Sequence, residues 1–128
     1  MASKPSKITF WISVVVSALP VALLLMSATM KFTKSPQAVD GMGKYGYHAD
    51  QLFTLGCLEA GCTLLYLIPQ TSVLGAMLLT GYLGGAVATH YRVGEPLWIN
   101  AVMVGVFIWL GLLLREPRLR VLTPIRRR

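Results

Sequence analysis

Long uncharged stretches dominate this chain and set its architecture. Ile8 to Met30, Thr71 to Thr89 and Leu97 to Leu114 run for 23, 19 and 18 residues without a charged side chain, and about 20 residues of helix cross the roughly 30 Å of a bilayer's hydrocarbon layer. A fourth run, Gln51 to Ile68, is interrupted by one acid, Glu59. The pattern predicts an all-α membrane protein with four transmembrane helices, at about 8–30, 51–68, 72–90 and 97–114, forming one domain over 1–128. Helix breakers mark the ends. Pro20 falls inside the first run, where its missing N–H and its ring favour a bend. Pro69 closes the second run, and the connection to Ser72 is so short that helices 2 and 3 must form an antiparallel hairpin. Gly94 and Pro96 turn the chain into the fourth run, which ends at Glu116 and Pro117. The expected fold is an up-and-down four-helix bundle.

The one long connection, Lys31 to Asp50, carries its own helix signals. Ser35 followed by Pro36 suits an N-cap with proline at the first helical position, and Gly46 suits the end. Val39, Met42 and Tyr45 would share one face, as expected of a short helix lying over the mouth of the bundle.

Composition removes the soluble alternatives. Of 128 residues 55% are apolar and 13% charged, with a mean hydropathy of +0.61; a soluble domain this small leaves about a third of its extended-chain surface wet and needs more polar covering than that. The first run is longer than the roughly 7 to 15 residues of a signal-peptide core and no A-x-A site follows it, so it is expected to remain in the protein.

The net charge of +7 is spread over the span ends, which points away from nucleic acid. Lys4, Lys7, Arg115, Arg118, Arg120, Arg126, Arg127 and Arg128 fall on the side of the termini, against Lys31, Lys34, Lys44 and Arg92 opposite. Short loops rich in Lys and Arg stay inside, so both termini are expected in the cytoplasm and the short helix outside it. The C-terminal arginines would each add about 1 kcal/mol of attraction to anionic lipid.

Few residues could carry chemistry. Glu59 lies about 12 Å below the outer surface, counted from Gln51, and a carboxylate there needs a partner in the protein interior. Gly56, Cys62, Thr63 and Tyr66 share its face. Lys31 closes helix 1, with Ser27 one turn deeper; its side chain is expected to snorkel outward, the alternative being an inward turn toward Glu59. His90 ends helix 3 on the outer side, with Ala86 and Tyr82 behind it on one face, and could exchange hydrogen bonds with a ligand. Tyr45, Tyr47 and Trp98 could supply an aromatic wall beside it. Lys31, Glu59, His90, Tyr45, Tyr47 and Trp98 are therefore the candidate ligand-binding residues.

Cys57 and Cys62 differ by about 140° around a helix and about 7.5 Å along it, beyond disulfide reach. They are expected to pack as small buried groups, and no metal site is expected. Gly81 and Gly85 form a G-x-x-x-G pattern that allows close helix packing inside the bundle or, alternatively, a homodimer.

Ser27 to Phe32 (SATMKF), Gly56 to Pro69 (GCLEAGCTLLYLIP), Leu74 to Val93 (LGAMLLTGYLGGAVATHYRV) and Trp109 to Leu119 (WLGLLLREPRL), in that order and spacing, resemble the DoxX-like family of small four-helix membrane proteins. The resemblance runs from about Val21 to the C-terminus and implies that Lys31, Glu59 and His90 are the polar positions to carry over. Family members are associated with quinol- or quinone-linked oxidoreductases and with complexes handling thiol oxidative stress, and a distant animal relative is a receptor-assembly chaperone. The resemblance thus implies a multi-pass protein of the cell membrane, in a bacterium the inner membrane, that binds a lipidic ligand such as a quinone as an accessory subunit of a redox system. The alternative is an assembly subunit acting through helix contacts. The sequence holds no self-sufficient catalytic, redox or nucleotide motif, so an enzyme acting alone is not expected.

Overall fold

The computed structural model describes residues 4–122; Arg126, Arg127 and Arg128 of the charge argument lie outside them. The described chain is all-helical: α1 (Lys7–Phe32), α2 (Pro36–Lys44), α3 (Ala49–Leu67), a 3-10 turn (Pro69–Thr71), α4 (Ser72–Arg92), α5 (Trp98–Arg115) and α6 (Pro117–Val121). Among the described residues, three helical segments, 7–32, 69–92 and 98–115, are long and apolar enough to cross a membrane. Asp50, Gln51, Glu59 and two threonines within α3 keep it out of that set.

Local chemistry explains the boundaries. Ser6 and Ser35 cap α1 and α2 by accepting the amides of Thr9 and Ala38, which satisfies donors that a helix start leaves without partners. α1 runs unbroken through Pro20. Gly46 and Gly94 turn the chain after α2 and α4 with φ of 90° and 76°, a conformation that costs glycine little.

α1 packs against α3 and α5, and α4 packs against the same two helices. In lipid this cohesion comes from close packing and interhelical hydrogen bonds, since apolar contacts gain little over contacts with acyl chains. Toward the end where the termini lie, buried Tyr66 organises the contact. Its hydroxyl donates to the Ile108 carbonyl at 2.8 Å, so Ser17 must be the donor in its 3.1 Å bond to Tyr66. Arg115 in turn donates to Ser17 at 2.8 Å and lies over the Tyr66 ring. Arg120 donates to the carbonyls of Leu113 and Leu114, which closes the end of α5. Two of the arginines expected at the lipid surface are thus engaged with the protein itself.

The glycines correct one expectation. Gly75 is the close-approach residue of the α3–α4 pair: a β-carbon there would overlap the Tyr66 backbone. A β-carbon at Gly81, Gly84 or Gly85 would meet no neighbouring atom among the described residues, so the G-x-x-x-G pattern does not serve close packing between these helices. All buried residues of α4 lie between Ser72 and Leu83, so toward α2 this helix is no longer tightly held. Cys57 is likewise exposed rather than packed, while Cys62 is half-buried.

Candidate functional site

Where α3 and α4 loosen, a cavity of about 640 Å³ lies between α1, α3, α4 and α5. Its walls run along α1 from Leu19 to Lys31, about 18 Å at 1.5 Å per residue. They are mostly apolar, and Met42, Tyr45 and Tyr47 border the end beside α2. Leu19, Leu23, Gly81, Gly85 and Met103 line the cavity and are also exposed on the helix surfaces, so it opens sideways between helices.

One polar cluster sits in this apolar surround. Lys31 Nζ donates to Glu59 Oε2 at 2.7 Å and to Ser27 Oγ at 2.6 Å. Ser27 and Tyr82 each donate to the same Oε2 at 3.3 Å. Lys31 is 8% exposed and Glu59 2%, so the expected snorkelling of Lys31 does not occur. A buried carboxylate with no cation nearby would cost more than an outward-reaching lysine gains, and the pair removes that cost. The register permits it: Gly56 lets α1 approach α3 so closely that a β-carbon on it would lie 3.3 Å from the Lys31 Cβ. The three bonds to the Glu59 carboxylate all end on Oε2. Glu59 Oε1 has no hydrogen bond among the described residues, and Glu59 lines the cavity.

The end beside α2 is closed by a second group. Buried Tyr45 donates to Glu95 at 2.6 Å, Arg92 donates to the Tyr45 carbonyl, and the Tyr45 ring meets the His90 ring edge-on at 4.7 Å. Burial first, then the bond to Glu95 and its charge, push the Tyr45 phenol up to about 12. His90 Nδ1 is buried, 4.0 Å from Glu95 Oε2, and has no hydrogen-bond partner among the described residues. Tyr47 bonds Thr89 at 3.5 Å; Thr89 spends its own proton on the Gly85 carbonyl, so Tyr47 is the donor.

Of the residues expected to act together, Lys31, Glu59, His90, Tyr45 and Tyr47 line one cavity. Trp98 does not: its ring packs on exposed Tyr91. Sequence reasoning assigned no role to Tyr82, although it stands eight residues before His90 on the same face of α4. It also missed Glu95, whose partner is 50 positions away and leaves no local signal.

No curated protein and no solved structure matches the chain significantly. The model of the DoxX-like family matches residues 15–114, a stretch that includes Lys31, Glu59, His90 and the whole cavity wall. The chain belongs to the DoxX-like family, a family of small membrane proteins.

Proposed function

We propose that this protein binds a lipidic ligand with a quinone-type ring in the α2-capped cavity and serves a membrane redox system as an accessory subunit. The observation that carries the reading is the cavity itself: apolar along its length, open between helices, and equipped with one buried polar cluster at Glu59. Ligand sites of this kind are a few hundred Å³, mostly apolar, with a few convergent polar groups that fix orientation. Lys31 and Glu59 supply polar contacts at depth, His90 supplies one at the closed end beside α2, and Tyr45 and Tyr47 supply aromatic wall.

In this reading α3 is a fourth span, its one mid-helix acid neutralised by Lys31, and both termini face the cytoplasm. The cavity then opens toward the outer half of the bilayer and α2 lies at the outer surface. A reporter fused at Lys44 should be active only in a form that requires export; a cytoplasmic signal there would overturn the arrangement. The ligand reading is tested by extracting the protein in mild detergent and identifying what stays bound. A stoichiometric isoprenoid ring compound is expected, and bulk phospholipid alone would defeat it.

One observation favours a second reading, that of an assembly subunit. Gly84 and Gly105 lie in an apolar groove between α4 and α5, and among the described residues no neighbouring helix comes within 4 Å of the position of a Gly84 β-carbon. A membrane protein recovered in stoichiometric amount in the same extraction would support that alternative.

A further inference from the structure

The polar cluster has an unequal balance of free donors and acceptors. Tyr82 spends its proton on Glu59, and so does Ser27. Lys31 spends two of its three N–H groups on Ser27 and Glu59. Tyr47 donates to Thr89. What remains around Glu59 is one ammonium hydrogen as donor; His90 and Asn100, farther along the cavity wall, can each donate or accept and so favour neither form of a ligand. The acceptors left over are Glu59 Oε1 and the lone pairs of Tyr82. Oε1 is the strongest of these, because a carboxylate oxygen takes a short, charge-assisted bond from a hydroxyl.

From this balance we infer that the cavity selects the reduced, hydroxyl-bearing form of a ring ligand over its oxidised, carbonyl-bearing form. The inference rests on the ligand-binding reading above and adds the chemical state of the ligand. A 1,4-dihydroxybenzene ring donates one O–H to Glu59 Oε1 and can accept the last Lys31 N–H on the same oxygen. A 1,4-benzoquinone has acceptors only. Its carbonyl can take the Lys31 hydrogen, but the ring then covers Oε1 without giving it a donor, and it places a carbonyl dipole near a carboxylate. An unmet acceptor in a buried site carries its full desolvation penalty, whereas a bond to a charged group is among the more favourable. The preference for the hydroxyl form should therefore be about tenfold or more in Kd.

The test uses the full chain in lipid nanodiscs under anaerobic conditions, with calorimetric titration against empty nanodiscs as the blank. The probes are tetramethyl-1,4-benzoquinone, its hydroquinone and the dimethyl ether of that hydroquinone, which has no O–H and carries two additional methyl groups. The expected result is saturable binding of the hydroquinone at least about tenfold tighter than of either other ring. Ala86→Phe, which places a ring inside the cavity wall, should abolish it; equal binding by that variant would place the site elsewhere and overturn the inference. Glu59→Gln should shrink the difference between the hydroquinone and its ether. Because the quinone and the hydroquinone share one carbon skeleton and differ at their oxygens, that comparison stands on the unmodified protein even where the variant does not fold. Equal affinity for hydroquinone and quinone, or tighter quinone binding, would overturn the inference and leave the ligand-binding reading intact. No saturable binding of any ring would overturn both.

Discussion

Removing one member of the buried Lys31–Glu59 pair should destabilise the protein more than removing both. At 2.7 Å and an effective dielectric near 20, the attraction between the two charges is about 6 kcal/mol. Desolvation cancels much of this, since each ion gives up several kcal/mol of hydration. The pair as a whole is therefore worth little, while either charge alone is expensive. Lys31→Met leaves the carboxylate with only Ser27 and Tyr82 as donors, and Glu59→Gln leaves the ammonium beside neutral groups; each should cost about 3 to 5 kcal/mol. The double variant Lys31→Met/Glu59→Gln should be more stable than either single one. Asp50→Asn is the control: Asp50 meets Lys34 at 3.9 Å with its carboxylate 98% exposed, so its effect should fall within error. The assay is reversible unfolding of the purified protein in mixed detergent micelles, followed by helical circular dichroism. Additive losses in the double variant, or a loss in Glu59→Gln no larger than in Asp50→Asn, would refute the reasoning.

Two further outcomes are expected. The Tyr45 phenol is raised from 10 to about 12, so its contribution to stability is complete below pH 10 and is lost between pH 10 and 12, where the unfolded chain ionises first; Tyr45→Phe should remove that component of the alkaline slope in the melting temperature, and an unchanged slope would count against the closed Tyr45–Glu95 contact. Gly75→Ala should cost about 1 to 3 kcal/mol because its β-carbon meets the Tyr66 backbone, whereas Gly81→Ala, which meets nothing, should be neutral or stabilise by up to about 1 kcal/mol; similar unfolding free energies for the two variants would contradict the tight end of the α3–α4 pair.

How far the sequence could be read depended on the range of the interaction. Boundaries came from short-range chemistry and agree closely with expectation: Ser35 and Pro36 open α2, Pro69 closes α3, and Gly94 turns the chain after α4. The inward face of α3 was legible too, because Gly56, Glu59, Thr63 and Tyr66 recur at helical spacing and are all buried. The direction of the Lys31 side chain was not legible. A lysine at a span end can reach either way, and only the close packing of α1 on α3 at Gly56 settles it. The small-residue stripe on α4 misled for a related reason. Spacing reveals which residues could permit contact, but whether a partner helix arrives depends on how far α3 and α4 diverge, and one pair at Gly75 decides that. Trp98 was placed beside His90 by depth alone. Depth ignores azimuth, and its ring points to Tyr91 instead.

The Gly75 contact also determines how the molecule can deform. A helix pair fixed at one end behaves as a lever with its fulcrum there: a small rotation about Gly75 becomes a displacement of several ångströms at His90, 15 residues or about 22 Å along α4. The Ser17, Tyr66 and Arg115 network stands on the fulcrum side and barely moves. If a molecule enters the cavity from the lipid, as the ligand reading proposes, the adjustment falls mainly on the α2 end and less on the opposite surface. On the ligand reading, anything docked at the terminal side would sense occupancy less by shape than a partner resting on α2 or on the outer end of α4, which Tyr45 and Tyr47 join to it.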